Sequence, residues 1–235
     1  MISFEWTRTN GKLFGAIALA FVLAFAAQAS AEPANLGDVK IALKDYVKSG
    51  QYEKDLAAVG REAIAALDGP AVKMPRAALV LDIDETSLSN LPQMLANDFG
   101  YVAAGPCAHL PKGPCGARAW ELSARAQAVA PTLELFRDAR DKQVAVFFIT
   151  GRDETERTAT TRNLIRAGYR GWTKLIMRPA HGPKLTAADY KAAARAGIEA
   201  KGYRIIVNVG DQPSDLAGGH AEKTVLLPNP FYRIP

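Results

Sequence analysis

The chain has 235 residues, 49% of them hydrophobic and 23% charged, with a formal net charge of +5. That hydrophobic share sets a disordered chain aside, and the length suits one domain with a modest insertion rather than two full domains. The positive excess is mild and no basic cluster carries interleaved aromatics, so a nucleic-acid partner has no support, while small anionic substrates are compatible.

The N-terminus reads as a targeting segment. Arg8 and Lys12 lead into an unbroken small-to-apolar run over 13–27, shorter than the ~20 residues of a membrane-spanning helix. Ala29-Ser30-Ala31 follows with the small-x-small pattern that a signal peptidase cleaves. The expectation is a signal peptide over 1–31, cut after Ala31, leaving a chain that starts at Glu32. That chain would be periplasmic or secreted and have no stable membrane association. An uncleaved membrane anchor is the alternative. No cysteine lies near the cut, which excludes lipid attachment there.

Two helical stretches follow, at 38–48 and 52–67. The second places Leu56, Val59, Ala63 and Leu67 at helical spacing, and Asp68-Gly69-Pro70 stops it. Short apolar runs then recur at 77–81, 144–149, 174–177, 205–209 and 224–227, with helical patterns at 132–141, 154–167 and 186–201 between most of them. Thr186 with Asp189 resembles a capping box for the last of these helices. Strands hydrophobic throughout, alternating with helices, predict a three-layer, Rossmann-like parallel sheet covered on both faces. In such α/β folds the site lies beyond the carboxyl ends of the strands.

The stretch 87–129 breaks the alternation, is rich in Pro and Gly, and has no place as a structureless loop in a compact domain. It reads as a small cap inserted after the first motif strand. Cys107 and Cys115 lie within it, and in an exported protein such a pair reads as a short-loop disulfide. A zinc site with His109, for which no fourth ligand is apparent nearby, and free thiols are the alternatives. Trp120 is the cap's best candidate for stacking against a leaving group, with packing of cap on core as the alternative.

The first strand ends in Leu81-Asp82-Ile83-Asp84-Glu85-Thr86. Two carboxylates spaced this way after a buried strand are costly without a partner, and a divalent cation that favours oxygen ligands is the obvious one. The second ends in Ile149-Thr150-Gly151-Arg152, where a hydroxyl and a glycine amide can hold a phosphate oxygen. Lys191 lies on the last long helix. Gly210-Asp211-Gln212-Pro213-Ser214-Asp215 puts two more carboxylates at another strand end. Singly these are a cap, a turn and a solvated lysine. Together, in this order, they resemble the four motifs of the haloacid dehalogenase superfamily.

Longer strings narrow the resemblance. Asp82-Ile83-Asp84-Glu85-Thr86-Ser87-Leu88-Ser89-Asn90, Thr150-Gly151-Arg152-Asp153-Glu154, Asn163-Leu164-Ile165-Arg166-Ala167-Gly168-Tyr169 and Pro228-Asn229-Pro230-Phe231-Tyr232 are similar to the exported acid phosphatases of that superfamily. These comprise bacterial class B and class C enzymes and, most similar, plant acid phosphatases and vegetative storage proteins. The resemblance implies a Mg²⁺-dependent phosphatase for small phosphomonoesters. Asp82 would be the nucleophile and Asp84 the acid and base. Thr150, Gly151 and Lys191 would hold the phosphate. Asp82, Asp84 through its main-chain carbonyl, Asp211 and Asp215 would form the metal site. The chain departs from the plant pattern at Gln93-Met94, at Pro213 and in the cysteine-bearing insert, all near the cap side. Two rivals stand beside the phosphatase: a non-catalytic storage or binding relative, and phosphoryl transfer to an alcohol. The intact motif residues speak against the first, and excess water outside the cell speaks against the second.

Overall fold

The computed structural model describes residues 32–181 and 185–234. The leader expected over 1–31 lies outside the described residues. The compact unit Asn35–Pro235 opens with α1 (Leu36–Lys48) and α2 (Gln51–Leu67). The side chain of Asn35 caps α1 by accepting from the Gly37 amide. A 3₁₀ turn at Pro70–Lys73 then leads into β1 (Ala77–Leu81).

Five strands form one parallel sheet in the order β5-β4-β1-β6-β7, with β4 at Ala145–Asp153, β5 at Lys174–Arg178, β6 at Arg204–Gly210 and β7 at Lys223–Leu226. Every residue of β1 is buried, as expected of a central strand paired on both sides. The side chains alternate between two cores. Leu79, Leu81, Val146 and Phe148 face α2 and α5 (Ala130–Asp141), while Ala78, Val80, Phe147 and Ile149 face α7 (Ala187–Glu199) through Tyr190 and Ile198. Gly60 permits the close approach of α2 and α5, because a Cβ there would overlap the Pro131 ring.

Two differences from expectation lie beside the strand ends. β4 does not stop at Ile149 but runs on to Asp153, since Thr150 still pairs with Met177 and Asp153 with Arg178, across an irregularity in register. The helix expected over 154–167 divides into a 3₁₀ turn at Glu154–Glu156 and α6 at Arg157–Arg166. The segment 87–129 carries its own small framework. Strands β2 (Leu88–Ser89) and β3 (Gln127–Ala128) pair antiparallel at its two ends, and α3 (Leu91–Ala96) and α4 (Ala117–Ser123) lie between them. Cys107 and Cys115 are joined as a disulfide, which leaves no thiolate for the zinc alternative. Asn97 holds the Cys115 backbone from both sides, accepting from its N–H and donating to its carbonyl, each at 2.8 Å.

Candidate active site

Asp82 is the first residue beyond β1, and its amide donates to Val209 on β6, which extends the sheet pairing by one step. The chain then turns tightly. Ser87 and Leu88 amides both return to the Ile83 carbonyl, and the Ser87 hydroxyl donates to the Asp82 carbonyl at 2.5 Å. Glu85 takes up the left-handed conformation (φ 54°) within this turn, a region sparsely used by residues other than Gly, Asn and Asp. The turn holds Asp82 and Asp84 beside the carboxyl ends of β4 and β6.

Lys191 is buried rather than solvated. From α7 its Nζ reaches Asp82 Oδ1 at 2.5 Å and also pairs with Asp215 Oδ1. Burial works to depress the lysine, and the two carboxylates more than reverse it, so the ammonium is held above the ordinary lysine range. Burial, opposed by Lys191 but reinforced by Asp215, Asp211 and Asp84, pushes Asp82 well above the usual carboxylate range. Asp211 is likewise raised, by burial and by Asp215.

Asp82, Asp211 and Asp215 bring oxygen atoms within 4.8 Å of one another, and all three residues are buried. One ammonium cannot neutralise three such charges. A hard cation that prefers oxygen ligands, as Mg²⁺ does, fits this donor set. The three carboxylates are not equivalent. Both Asp215 oxygens are already engaged, one by Lys191 and the other by the Gln212 amide at 2.9 Å, whereas Asp82 Oδ2 accepts no hydrogen bond among the described residues. Gly210 is required here because a Cβ would collide with the Asp215 side chain.

Asp84 faces the other way. Arg152 grips it through Nη2 at 2.6 Å and Nε at 3.1 Å, and Asn90 Nδ2 donates to it at 2.8 Å. Burial favours its neutral form, but the Arg152 charge and these hydrogen bonds win, so Asp84 lies below the usual carboxylate range. Thr150 is fully buried within β4, just before the irregularity in its register, its hydroxyl accepting from the Arg152 amide at 3.1 Å. Gly151 is exposed, with open space where a Cβ would stand.

Several contributors were not assigned from sequence. Arg152 and Asn90 stand within strings that carried the family resemblance, yet nothing local marks them as partners of Asp84. Asn90 is a hub: its amide nitrogen reaches Asp84 and Glu85, and its oxygen accepts from Trp120 Nε1 at 2.7 Å. Trp120 is therefore not an open stacking platform. It is buried, tied to Asn90, and overlaid by Arg125 with the guanidinium carbon 5.5 Å from the ring centre.

An α/β sheet that gathers acidic residues from two strand ends around a helix-borne lysine is the arrangement of haloacid dehalogenase phosphatases. Comparison with known proteins narrows it: the model of haloacid dehalogenase superfamily subfamily IIIB (acid phosphatase) matches residues 17–235, and the chain belongs to that family. It is 32% identical to acid phosphatase 1 of Solanum lycopersicum over 199 residues, 82% of this chain and 73% of that protein. It is also 32% identical to a stem 28 kDa glycoprotein of Glycine max over 196 residues, 82% of this chain and 74% of that one. Vegetative storage protein 1 of Arabidopsis thaliana is 31% identical over 206 residues, 86% and 72% of the two chains. The class C acid phosphatase from Bacillus anthracis shares the fold, with a TM-score of 0.65 at 22% identity over 83% of this chain and 85% of that chain.

Proposed function

We propose that the protein is an exported, Mg²⁺-dependent phosphomonoesterase that hydrolyses small phosphate monoesters through an aspartyl-phosphate on Asp82. The observation that carries this reading is the pairing of Asp82 with Lys191, which keeps one carboxylate oxygen hydrogen-bonded and leaves Oδ2 to attack. Asp82, Asp211 and the Asp84 main-chain carbonyl, backed by Asp215, would hold Mg²⁺, which supplies positive charge against the phosphoryl oxygens.

Attack by Asp82 forms an oxygen–phosphorus bond while the ester bond breaks, and the leaving oxygen takes a proton from Asp84. Water then attacks the same phosphorus, Asp84 takes a proton from it, and inorganic phosphate departs with Asp82 restored. Thr150, the Gly151 amide and Lys191 face the phosphoryl oxygens. Arg152 favours the ionised form of Asp84, so the acid step calls for acidic conditions. In this scheme the segment 87–129 acts as the cap, and its helix α4 brings Trp120 onto the Asn90–Asp84 pair.

Export rests on the leader pattern of residues 1–31, and the Cys107–Cys115 bridge suits an oxidising compartment. The storage reading is favoured by the storage proteins among the relatives. The buried, paired state of Asp82, Lys191, Asp211 and Asp215 is costly to keep in a chain with no catalytic task. Phosphate release from a panel of monoesters, with Mg²⁺ and with chelator, decides between them. Mg²⁺-dependent release is expected, and no release across acidic to neutral pH would overturn the phosphatase. Adding an acceptor alcohol and finding mainly transferred phosphate would replace hydrolysis by transfer.

A further inference from the structure

We infer that the C-terminal segment 228–234 is a strap whose Asn229 positions Asp211 for the cation, an inference that rests on the metal-dependent reading above. A carboxylate offers about four lone-pair sites. In Asp211 three are taken. Oδ2 accepts from Gln212 Nε2 and from Asn229 Nδ2, both at 2.7 Å, and Oδ1 accepts from the Thr86 hydroxyl at 2.9 Å. One site remains, on Oδ1, and the three donors fix where it points.

Asn229 is the donor that comes from outside the two motif loops, and its surroundings prepare it for the role. Pro228 and Pro230 flank it, restricting the backbone before any bond is made. Its Oδ1 accepts from the Phe231 amide at 3.0 Å, which turns the NH₂ group toward Asp211. Phe231 anchors the strap in the core, edge-on to Tyr52 at 5.0 Å and stacked on Phe99 at 5.6 Å. Gln212 ties the far end, accepting from the Ile234 amide at 2.9 Å. The Tyr232 hydroxyl separately donates to Glu85 at 3.0 Å, and among the described residues Tyr232 makes no hydrogen bond to Asp211. Partners of this kind orient ligating carboxylates, and their loss weakens a metal site without removing a ligand. The plain alternative is that Asn229 only shapes the turn to Phe231.

Mn²⁺ serves as the probe, its free concentration read by electron paramagnetic resonance in titrations of purified wild type, Asn229→Ala and Tyr232→Phe. Asn229→Ala should bind Mn²⁺ about 10-fold more weakly, while Tyr232→Phe, which loosens the same strap elsewhere, should bind as wild type does. The Mg²⁺ concentration for half-maximal phosphate release should rise in parallel in Asn229→Ala, with the KM for the phosphomonoester at saturating Mg²⁺ unmoved. If Asn229→Ala does not fold, Asn229→Ser is read in its place: it keeps a polar group in the turn, one bond too short to reach Asp211. Wild-type affinity in these Asn229 variants, or equal weakening in Tyr232→Phe, overturns the inference. Wild type that binds no Mn²⁺ and needs no Mg²⁺ overturns the metal-dependent reading itself, and the strap's role with it.

Discussion

Replacing Asp82 by Asn separates chemistry from stability. The two side chains are nearly the same shape, so packing is kept, while the charge and the cation ligand that the proposed mechanism assigns to Asp82 are lost. Turnover should fall by about 10⁴-fold or more, the scale reached when a covalent nucleophile is removed. Stability has a different fate, decided by the wiring of Lys191. Its ammonium reaches both Asp82 and Asp215, so the substitution leaves it paired with Asp215, and the new amide oxygen can still accept its hydrogen bond. Repulsion from Asp211, Asp215 and Asp84 is relieved as well. Without divalent cation the unfolding free energy should therefore drop by no more than about 1 kcal/mol. Lys191→Met supplies the contrast. It strips the counter-charge from two buried carboxylates and should cost about 3–5 kcal/mol, the range for breaking one side of a buried pair. Urea denaturation of all three proteins in chelator gives the stabilities, and phosphate release from an activated aryl ester with Mg²⁺ gives the rates. An Asp82→Asn protein that turns over like wild type would refute the nucleophile. One as unstable as Lys191→Met would refute the account of the charge cluster.

Arg152→Lys keeps a charge but loses the fork that holds Asp84, so it should slow hydrolysis of alkyl phosphates, whose leaving oxygen needs a proton, far more than that of activated aryl phosphates; equal slowing would point to a general structural defect. Burial, helped by Asp84 and opposed by Arg152, pushes Glu121 from its ordinary 4.5 up to about 8. Because the folded state holds this proton more tightly than the unfolded chain, the contribution is complete below the ordinary value and is lost as pH climbs through about 8, at no more than about 1.4 kcal/mol per pH unit. Glu121→Gln should flatten that part of the stability–pH profile, and an unaltered profile would remove Glu121 as its source. Replacing both Cys107 and Cys115 by Ser opens a small ring and should lower unfolding free energy by about 2–3 kcal/mol; thermal melts insensitive to the change would mean the bridge contributes nothing. Intact mass of the exported protein should place Glu32 first, and retention of the leader in a membrane fraction would restore the anchor alternative.

The strands could be read from the amino-acid sequence because central parallel strands are apolar on both faces, as 77–81 and 205–209 are. β4 outruns its apolar segment. Thr150, Gly151 and Arg152 have the composition of a turn, yet Thr150 and Asp153 pair with β5 on either side of an irregularity and keep the stretch in the strand, which only the neighbouring strand's position could reveal. Asp82, Asp84, Lys191, Asp211 and Asp215 were visible because each sits in a motif whose order along the chain is informative. Arg152 meets Asp84 across a separation of 68 residues, and Asn229 meets Asp211 across 18, so their roles exist only in the folded arrangement. Trp120 follows the packing alternative rather than the stacking one. An aromatic in a cap suggests a platform, but its indole N–H found the Asn90 oxygen and the ring was buried in doing so.

The place of β1 in the sheet has a consequence for how the molecule breathes. With β4 on one side and β6 on the other, the amides of Leu79 and Leu81 have no route to solvent short of parting the sheet. They belong to the slowest-exchanging class of backbone protons, which open only with the whole domain. Asp82 directly follows that strand and its N–H donates to the Val209 carbonyl on β6, so the carboxylate proposed to attack is carried by the last part of the protein to loosen. Mild heat or denaturant should therefore release amides around 97–116, outside any helix or strand, long before Asp82 shifts from its place.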